Sequence, residues 1–256
     1  MDCVLIAGGV PQSDDPLYPF AQGKPKSLIE IGGKPMAQWV VDALTSAPDV
    51  DEIIVVGVTP DTGLISAKIA HYYPDQGSLL SNGLAGIDWL LDRRPTADRV
   101  LISCADIPLL KPEMITWLIE QHQNRPTDLN YTVIPRPKME TAFPTSDRTY
   151  SRFENMDVAG GDIHVSNPHI FRSHQELWHK LAVSRKESLK AALRLGPGIF
   201  IKFFLHRLST VELEARVQQR LNIRLRVLPA PYPELGMDVD KPHQLEICRR
   251  MLEGTA

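Results

Sequence analysis

The sequence predicts an α/β fold with a mostly parallel central sheet and helices on both faces. Three observations carry this. Short apolar runs alternate with segments of helical period through the first half of the chain, as in strands joined by crossover helices. One of them, Glu52 to Val58, is apolar on successive residues, the pattern of a strand buried on both sides. Two others stop at small or acidic residues, Ala7-Gly8-Gly9 and Cys104-Ala105-Asp106, and ligands gather at such strand ends in open α/β sheets.

The elements follow in order. Val4-Leu5-Ile6 is the first strand, followed by a long polar loop to Pro25-Lys26 and then by Ile31-Gly32-Gly33-Lys34-Pro35-Met36. Pro35 to Leu44 reads as a helix with proline in its first turn, where no backbone donor is needed. Ser78 is placed to cap a helix running to about Leu91, with Leu79, Leu80, Leu84, Ile87, Leu90 and Leu91 on one face. Arg99 to Ser103 is the next strand, and Pro112 starts a helix through His122. Asn130 to Pro135 is strand-like, whereas Pro135 to Ser151, rich in Pro, Lys, Thr and Asp, predicts an excursion from the sheet. Gly160 to Val165 returns as a short strand ended by Asn167-Pro168. Ser173 to Leu221 is mostly helical in pattern, broken at Gly196-Pro197-Gly198, and its apolar run Ile199 to Leu205 predicts a core or dimer helix. A last strand, Ile223 to Leu228, leads through Gly236-Met237-Asp238-Val239-Asp240 to a closing helix from Pro242 to Leu252.

With 256 residues, a net charge of −3 and 43% hydrophobic residues, the composition is that of a soluble, enzyme-like globule. Cys3, Cys104 and Cys248 lack CxxC spacing, which argues against a disulfide framework or zinc site and for a reducing cytoplasm. No signal-like segment opens the chain, and no stretch approaches the ~18 apolar residues of a membrane span. Charge is uneven. The cations before Arg93 are Lys24, Lys26, Lys34 and Lys68, and three of these fall in the opening motif. From Arg172 to Arg226, twelve Lys/Arg stand against four Glu, a segment of net +8. Solvated helix faces account for it most simply; an anionic substrate or a membrane surface are the alternatives. No nucleic acid is expected.

The opening stretch carries the chemistry. A strand ending in Gly8-Gly9 lets the backbone approach a ligand, and bare N–H groups there cradle phosphate because no Cβ intervenes. Lysines just beyond supply charge for a polyphosphate, so the arrangement reads as a nucleotide site. The residues Leu5, Ala7, Gly8, Pro25, Lys26, Leu28, Gly33, Lys34, Pro35 and Met36 match, as they stand, the form L-x-A-G-x-G-x-R…P-K-x-L…G-K-P-M. The chain therefore resembles the nucleotidyltransferases of the Rossmann-like GT-A fold, the sugar-phosphate nucleotidyltransferases and molybdenum-cofactor guanylyltransferases. One part departs: where that family carries a second spaced glycine and a cation, this chain has Gly9-Val10-Pro11-Gln12-Ser13-Asp14-Asp15 and no cation until Lys24.

The resemblance implies one domain, 1–256, with a nucleotide-binding half (1–125) and an acceptor-binding half (126–256). It implies Mg²⁺-dependent transfer of NMP from an NTP to a phosphorylated acceptor, releasing pyrophosphate. Ala7, Gly8, Gly9, Lys24, Lys26, Gly77, Ser78 and Asn82 would bind the nucleotide, with Lys26 catalytic. Asp106 would hold the metal with Asp238 or Asp240; strand spacing lets both of the latter face one site, and the assignment favours Asp238 for metal and Asp240 as cap of the closing helix. Gly161, Asp162 and Asn167 would form the acceptor pocket, against the plainer reading of a glycine turn with a capping Asp; Asn82 would read a base edge or sit exposed on its helix. The eight histidines show no metal spacing. Two rivals stand beside this reading, a GT-A glycosyltransferase using a nucleotide-sugar and a non-catalytic nucleotide-binding regulatory protein.

Overall fold

The computed structural model describes residues 1–178 and 197–254. Its centre is a mixed sheet in which β1 (Cys3–Ile6), β4 (Ile53–Val56), β5 (Ile69–Tyr73) and β6 (Val100–Cys104) run parallel in the order β5-β4-β1-β6. The sheet continues through β10 (Ile163–Ser166), β7 (Leu129–Pro135), β9 (Asp157–Gly160) and β8 (Ser151–Arg152), while β11 (Leu225–Pro229) pairs with the other side of β7. A small hairpin of β2 (Glu30–Ile31) and β3 (Lys34–Pro35) stands apart. Every residue of β1 and β4 is buried, which explains their unbroken apolar sequences.

Helices cover both faces, as the sequence predicts. On one side α2 (Met36–Ser46) and α4 (Pro112–Asn124), with the closing helix α9 (Pro242–Glu253), pack on Leu5, Val55 and Leu101. On the other, α3 (Leu79–Arg93) packs Ile87, Leu90 and Leu91 on Val4, Ile54 and Val56. Ser78 caps α3 by accepting the Ser81 N–H at 3.1 Å. The first turn of α3 differs from expectation: Leu79 is exposed, because this end overhangs a cleft instead of the core.

Register places the strand ends. Cys3 and Ile6 pair with Ile53 and Val56 on one side and with Leu101 and Cys104 on the other. The chain therefore leaves β1, β4 and β6 along one edge, at Ala7, Gly57 and Ala105. The Ala7 N–H donates to the Val56 carbonyl (2.7 Å) and the Ala105 N–H to that of Ile6 (2.9 Å). Gly57 has φ +103°, and a Cβ there would lie 2.2 Å from the Gly8 nitrogen. The two loops touch backbone to backbone.

In the second half of the chain the run from β9 into β10 lies along β7 with a bulge. The step from Asn130 to Val133 on β7 is matched by the longer step from Val165 back to Gly160. The extra residues include Gly161 and Asp162. The Gly161 N–H donates to the Thr132 carbonyl and the Asp162 N–H to that of Leu235, while the Asp162 carbonyl accepts from Cys104. The bulge thus pins Asp162 beside the end of β6.

The structure adds detail to the sequence reading. The excursion Pro135 to Ser151 contains a helix, α5 (Arg136–Ala142), that buries Met139. β5 was not foreseen, because it is a half-buried edge strand with a mixed sequence, IAHYY. Of the helical reading from Ser173 to Leu221, residues 179–196, including Gly196, lie outside the described residues. The described remainder holds α7 (Pro197–Phe204) and α8 (Thr210–Leu221), reached after the short α6 (His169–Ser173). In α7 and just beyond, Ile199 is buried while Ile201, Phe204 and Leu205 are exposed. Several cations of the basic segment are paired, Arg172 with Asp88 and Asp92, Lys202 with Glu212 and Arg224 with Asp128. Among the described residues no helix is long and apolar enough to cross a membrane.

Two outcomes follow from this packing. Gly57→Ala should destabilise the fold by roughly 1–3 kcal/mol, since it adds both a positive-φ penalty and a collision with Gly8; urea denaturation reads this directly. The second concerns His164, whose imidazole is pushed down to about 4 by burial and whose Nδ1 accepts the Thr132 N–H at 3.1 Å. An unfolded histidine protonates near pH ~6.5, so the stability contributed by the neutral ring is complete above that pH and lost as the pH falls toward about 4. His164→Gln should flatten the decline in melting temperature across that window.

Candidate active site

The aligned strand ends open into a cleft of about 520 Å³. Its floor is Ile6, Gly8, Gly9 and Cys104; one wall is the loop Val10 to Asp15, and the opposite wall is Asp75 with Gly77, Ser78 and Leu79 at the start of α3. The loop after β1 is closed by two bonds that explain Pro25-Lys26-Ser27 in the sequence. The Lys26 N–H donates to the Gly9 carbonyl (3.0 Å), and the buried Ser27 hydroxyl donates to the Ala7 carbonyl (2.6 Å). Lys26 is thereby fixed at the mouth of β1.

The Lys26 ammonium stands between two carboxylates, 2.8 Å from Asp106 Oδ2 and 2.5 Å from Asp240 Oδ1. Burial alone would lower its pKa, but Asp106 and Asp240 hold it above the ordinary lysine value, so it stays charged. Asp106 lies two residues beyond the end of β6, and its carbonyl accepts the Val239 N–H at 2.9 Å, which brings the 237–240 segment to the same edge. Met237 and Val239 are fully buried there, leaving Asp238 and Asp240 toward the site.

Neither Asp238 nor Asp240 is placed as the sequence reading expects. Asp238 is mostly buried and paired with Arg148. Asp240 does not cap the closing helix: Lys241 occupies the cap position without a side-chain bond, and the Asp240 carboxylate is turned to Lys26. Its N–H is instead held by Gln244 Oε1 at 2.9 Å. Asp162 faces the same group of charges, and burial, reinforced by Asp106 and Asp240 and opposed by Arg148 and Lys26, pushes its carboxyl up to about 7.

Other predicted residues part company with the cleft. Asn167 lies at the far end of β10, where Ser166 pairs with Val100 instead of Cys104, roughly 13 Å of strand away; its Oδ1 accepts the His169 N–H at 3.0 Å. It is a turn residue and is removed from the acceptor set. Lys24 is exposed on the turn before Pro25 and does not line the cleft. Lys34 is paired with Asp42 and lies over the Trp39 ring, so Gly33-Lys34-Pro35-Met36 acts as a structural hairpin that seats the buried Met36. Among the described residues, Lys26 is the one cation lining the cleft, against Asp14, Asp15, Asp75 and Asp106. Asp15 is partly accounted for, since its Oδ1 accepts the Leu17 N–H at 2.8 Å.

Asn82 is buried and used at both ends. Its Nδ2 donates to Asp75 Oδ1 (2.7 Å), and its Oδ1 accepts the Gln76 N–H (2.7 Å). This pair lies against Gly8, where a Cβ would come within 2.6 Å of Asp75 Oδ1 and 2.7 Å of Asn82 Nδ2. Asn82 therefore shapes the loop that faces the cleft. Asp75, which the sequence offered no motif to single out, is the side chain that this loop presents to the cleft.

The donor set fits a hard divalent cation. Asp106 Oδ1 is buried without a hydrogen-bond partner, although its other oxygen is engaged by Lys26. Among the described residues no three His, Cys, Asp or Glu side chains form a complete ligand group. That pattern suits Mg²⁺, which binds through one or two carboxylates and completes its shell with water and phosphate oxygens.

A glycine loop, a lysine and a carboxylate on adjoining strand ends make a nucleotidyltransferase-type site. The model of the MobA-like NTP transferase domain matches residues 3–195, and the chain belongs to that family. A solved structure described as a hypothetical transferase from Thermus thermophilus superposes with a TM-score of 0.80 at 32% identity, covering 95% of this chain and 98% of that one. The molybdenum cofactor guanylyltransferase of Rhodopseudomonas palustris is 28% identical over 134 residues, 49% of this chain and 56% of its own. The bifunctional protein GlmU of Sorangium cellulosum is 35% identical over 104 residues, 37% of this chain and 22% of its own. The matched part thus spans about a fifth to a half of these curated relatives.

Asn82→Ala should cost about 1 kcal/mol, because it removes the two hydrogen bonds that tie the buried Asn82 to the Gln76 N–H and to Asp75 Oδ1. It should also weaken nucleotide binding by loosening the 75–77 loop. Urea denaturation and equilibrium titration with NTP measure the two effects separately.

Proposed function

We propose that this chain is a Mg²⁺-dependent nucleotidyltransferase that moves NMP from an NTP to a phosphorylated acceptor and releases pyrophosphate. The observation that carries the reading is the Lys26 ammonium held between Asp106 and Asp240 at the edge of the glycine-floored cleft. An oxygen of the acceptor phosphate attacks the α-phosphorus, and the bond to the β-phosphate oxygen breaks. The reaction accumulates negative charge on phosphoryl oxygens, so positioning and charge neutralisation dominate it.

Each residue has a part. The backbone at Ala7, Gly8 and Gly9 approaches the phosphates, and Gly77 with Ser78 borders the nucleoside end of the cleft. Lys26 transfers its ammonium from the two carboxylates to the phosphoryl oxygens as charge develops there. Asp106 and Asp240 would hold Mg²⁺, which supplies charge neutralisation between the phosphates; Asp238, occupied by Arg148, would steady the acceptor side. No general base is needed for an acceptor that arrives ionised. The whole chain would act as one domain, with residues 1–125 taking the nucleotide and 126–256 the acceptor, and its workplace would be the cytoplasm.

Incubation with each NTP, Mg²⁺ and a panel of sugar 1-phosphates should give pyrophosphate only when an acceptor is present. Lys26→Ala should lower turnover by about 10²–10³-fold, the scale of losing one preorganised charge-stabilising donor, and EDTA should abolish it. Full turnover in Lys26→Ala would refute the role given to that residue. Tight NTP binding without turnover across the panel would favour the non-catalytic alternative, for which the four carboxylates around a single cation are the relevant observation.

A further inference from the structure

The loop that carries Asp240 is held from a distant part of the chain. Three consecutive residues beyond α5, Ser146, Asp147 and Arg148, each meet the 238–244 segment. The Ser146 carbonyl accepts from Gln244 Nε2 at 3.0 Å, and His243 Nε2 stands 3.2 Å from the same oxygen. Asp147 accepts from Lys241 Nζ at 2.6 Å, and Arg148 pairs with Asp238. Arg148 also borders a cavity of about 380 Å³ with Arg136 and Arg152, which shares no lining residue with the cleft at the strand ends.

These contacts differ in depth. The Lys241–Asp147 pair is exposed and contributes little. Gln244 and Ser146 are each only 2% exposed. A buried amide side chain has to satisfy both its donor and its acceptor, and Gln244 does so across two segments. Its Nε2 donates to Ser146, while its Oε1 accepts the Asp240 N–H at 2.9 Å. Gln244 stands third in α9, the position from which a glutamine commonly reaches back to the N–H of the residue capping its helix. Here the cap is Lys241, and the side chain reaches one residue further. The backbone around Asp240 is thereby fixed from two directions, at Val239 by the Asp106 carbonyl and at Asp240 by Gln244. The Asp240 carboxylate has no capping duty and turns to Lys26.

We infer that Gln244 is the positioning residue for Asp240: it ties the buried Ser146 carbonyl to the Asp240 backbone and so sets the carboxylate opposite Lys26 and Asp106. The inference rests on the transfer reading, in which Asp106 and Asp240 would hold the cation, and it gives the excursion beyond α5 a part in the reaction. Gln244 touches no substrate in that scheme. Its amide is neutral, so it fixes the aspartate without changing the charge of the site.

The test uses the full chain in two measurements. Gln244→Met keeps the length of the side chain and removes both hydrogen bonds. In amide hydrogen exchange followed by NMR, the Asp240 N–H of this variant should exchange at least about fivefold faster than in the parent, while the Val239 N–H keeps its rate. A general loosening would speed both. Gln244→Glu, which keeps an oxygen for the Asp240 N–H, should retain most of the protection. The second measurement compares turnover in the parent, Gln244→Met, Asp240→Asn and the double variant. Gln244→Met should lower turnover by about fivefold to tenfold, the scale of one lost hydrogen bond, and should add no further loss once Asp240 is Asn. Equal losses in the two backgrounds would overturn the inference, as would unchanged turnover or an unchanged Asp240 exchange rate in Gln244→Met. If the parent releases no pyrophosphate with any acceptor, the transfer reading fails, and the exchange rates still decide whether Gln244 holds Asp240.

Discussion

The site depends first on the register of β1 between β4 and β6. Because Ile6 pairs with both Val56 and Cys104, three loops leave the sheet at one level. The Gly8 backbone, the Gly57 turn and the Ala105-Asp106 step become neighbours without further adjustment. A slip of one residue in either pairing would reverse the faces of a buried strand, and the surrounding apolar packing forbids that. Catalytic geometry is thus inherited from core packing. The loop bonds from Lys26 to Gly9 and from Ser27 to Ala7 then turn a strand end into a positioned ammonium.

Charge divides the molecule into two unlike regions. The cleft at the strand ends is acidic, with Lys26 opposed by several aspartates, whereas the cavity lined by Arg136, Arg148 and Arg152 presents guanidinium groups. The Arg148–Asp238 pair sits at the boundary and keeps a buried carboxylate neutralised where the two regions meet. The family's usual cation in the loop after β1 is missing here, and Asp14 and Asp15 stand in its place. One of these, Asp15, is largely occupied in holding its own loop.

Much of this was legible in the chain itself. Buried parallel strands announce themselves by continuous apolar runs, and Pro25-Lys26 and Ala105-Asp106 could be read as site residues because motif and strand end coincide. What stayed hidden depended on long-range pairing. Strand spacing indicated that Asp238 and Asp240 face one way, but only the position of Arg148, about ninety residues earlier, determines which one meets Lys26. Asn167 seemed to belong with Gly161 and Asp162 because they are close in sequence; an antiparallel strand carries it to the opposite end of the sheet. Asp75 and the edge strand β5 had no sequence signature, since half-buried mixed segments lack a period. The guanidinium cavity is similar: its arginines are spaced irregularly and meet only after α5 folds back toward β8.

The ammonium between Asp106 and Asp240 has a consequence for the life of the protein before any substrate arrives. Two carboxylates brought together at a sheet edge would ordinarily repel one another until a metal arrived. Here the chain carries its own bridging cation, which offsets one of the two negative charges when the strands assemble. The strand-end loops can therefore close on one another with no counter-ion drawn from outside the chain.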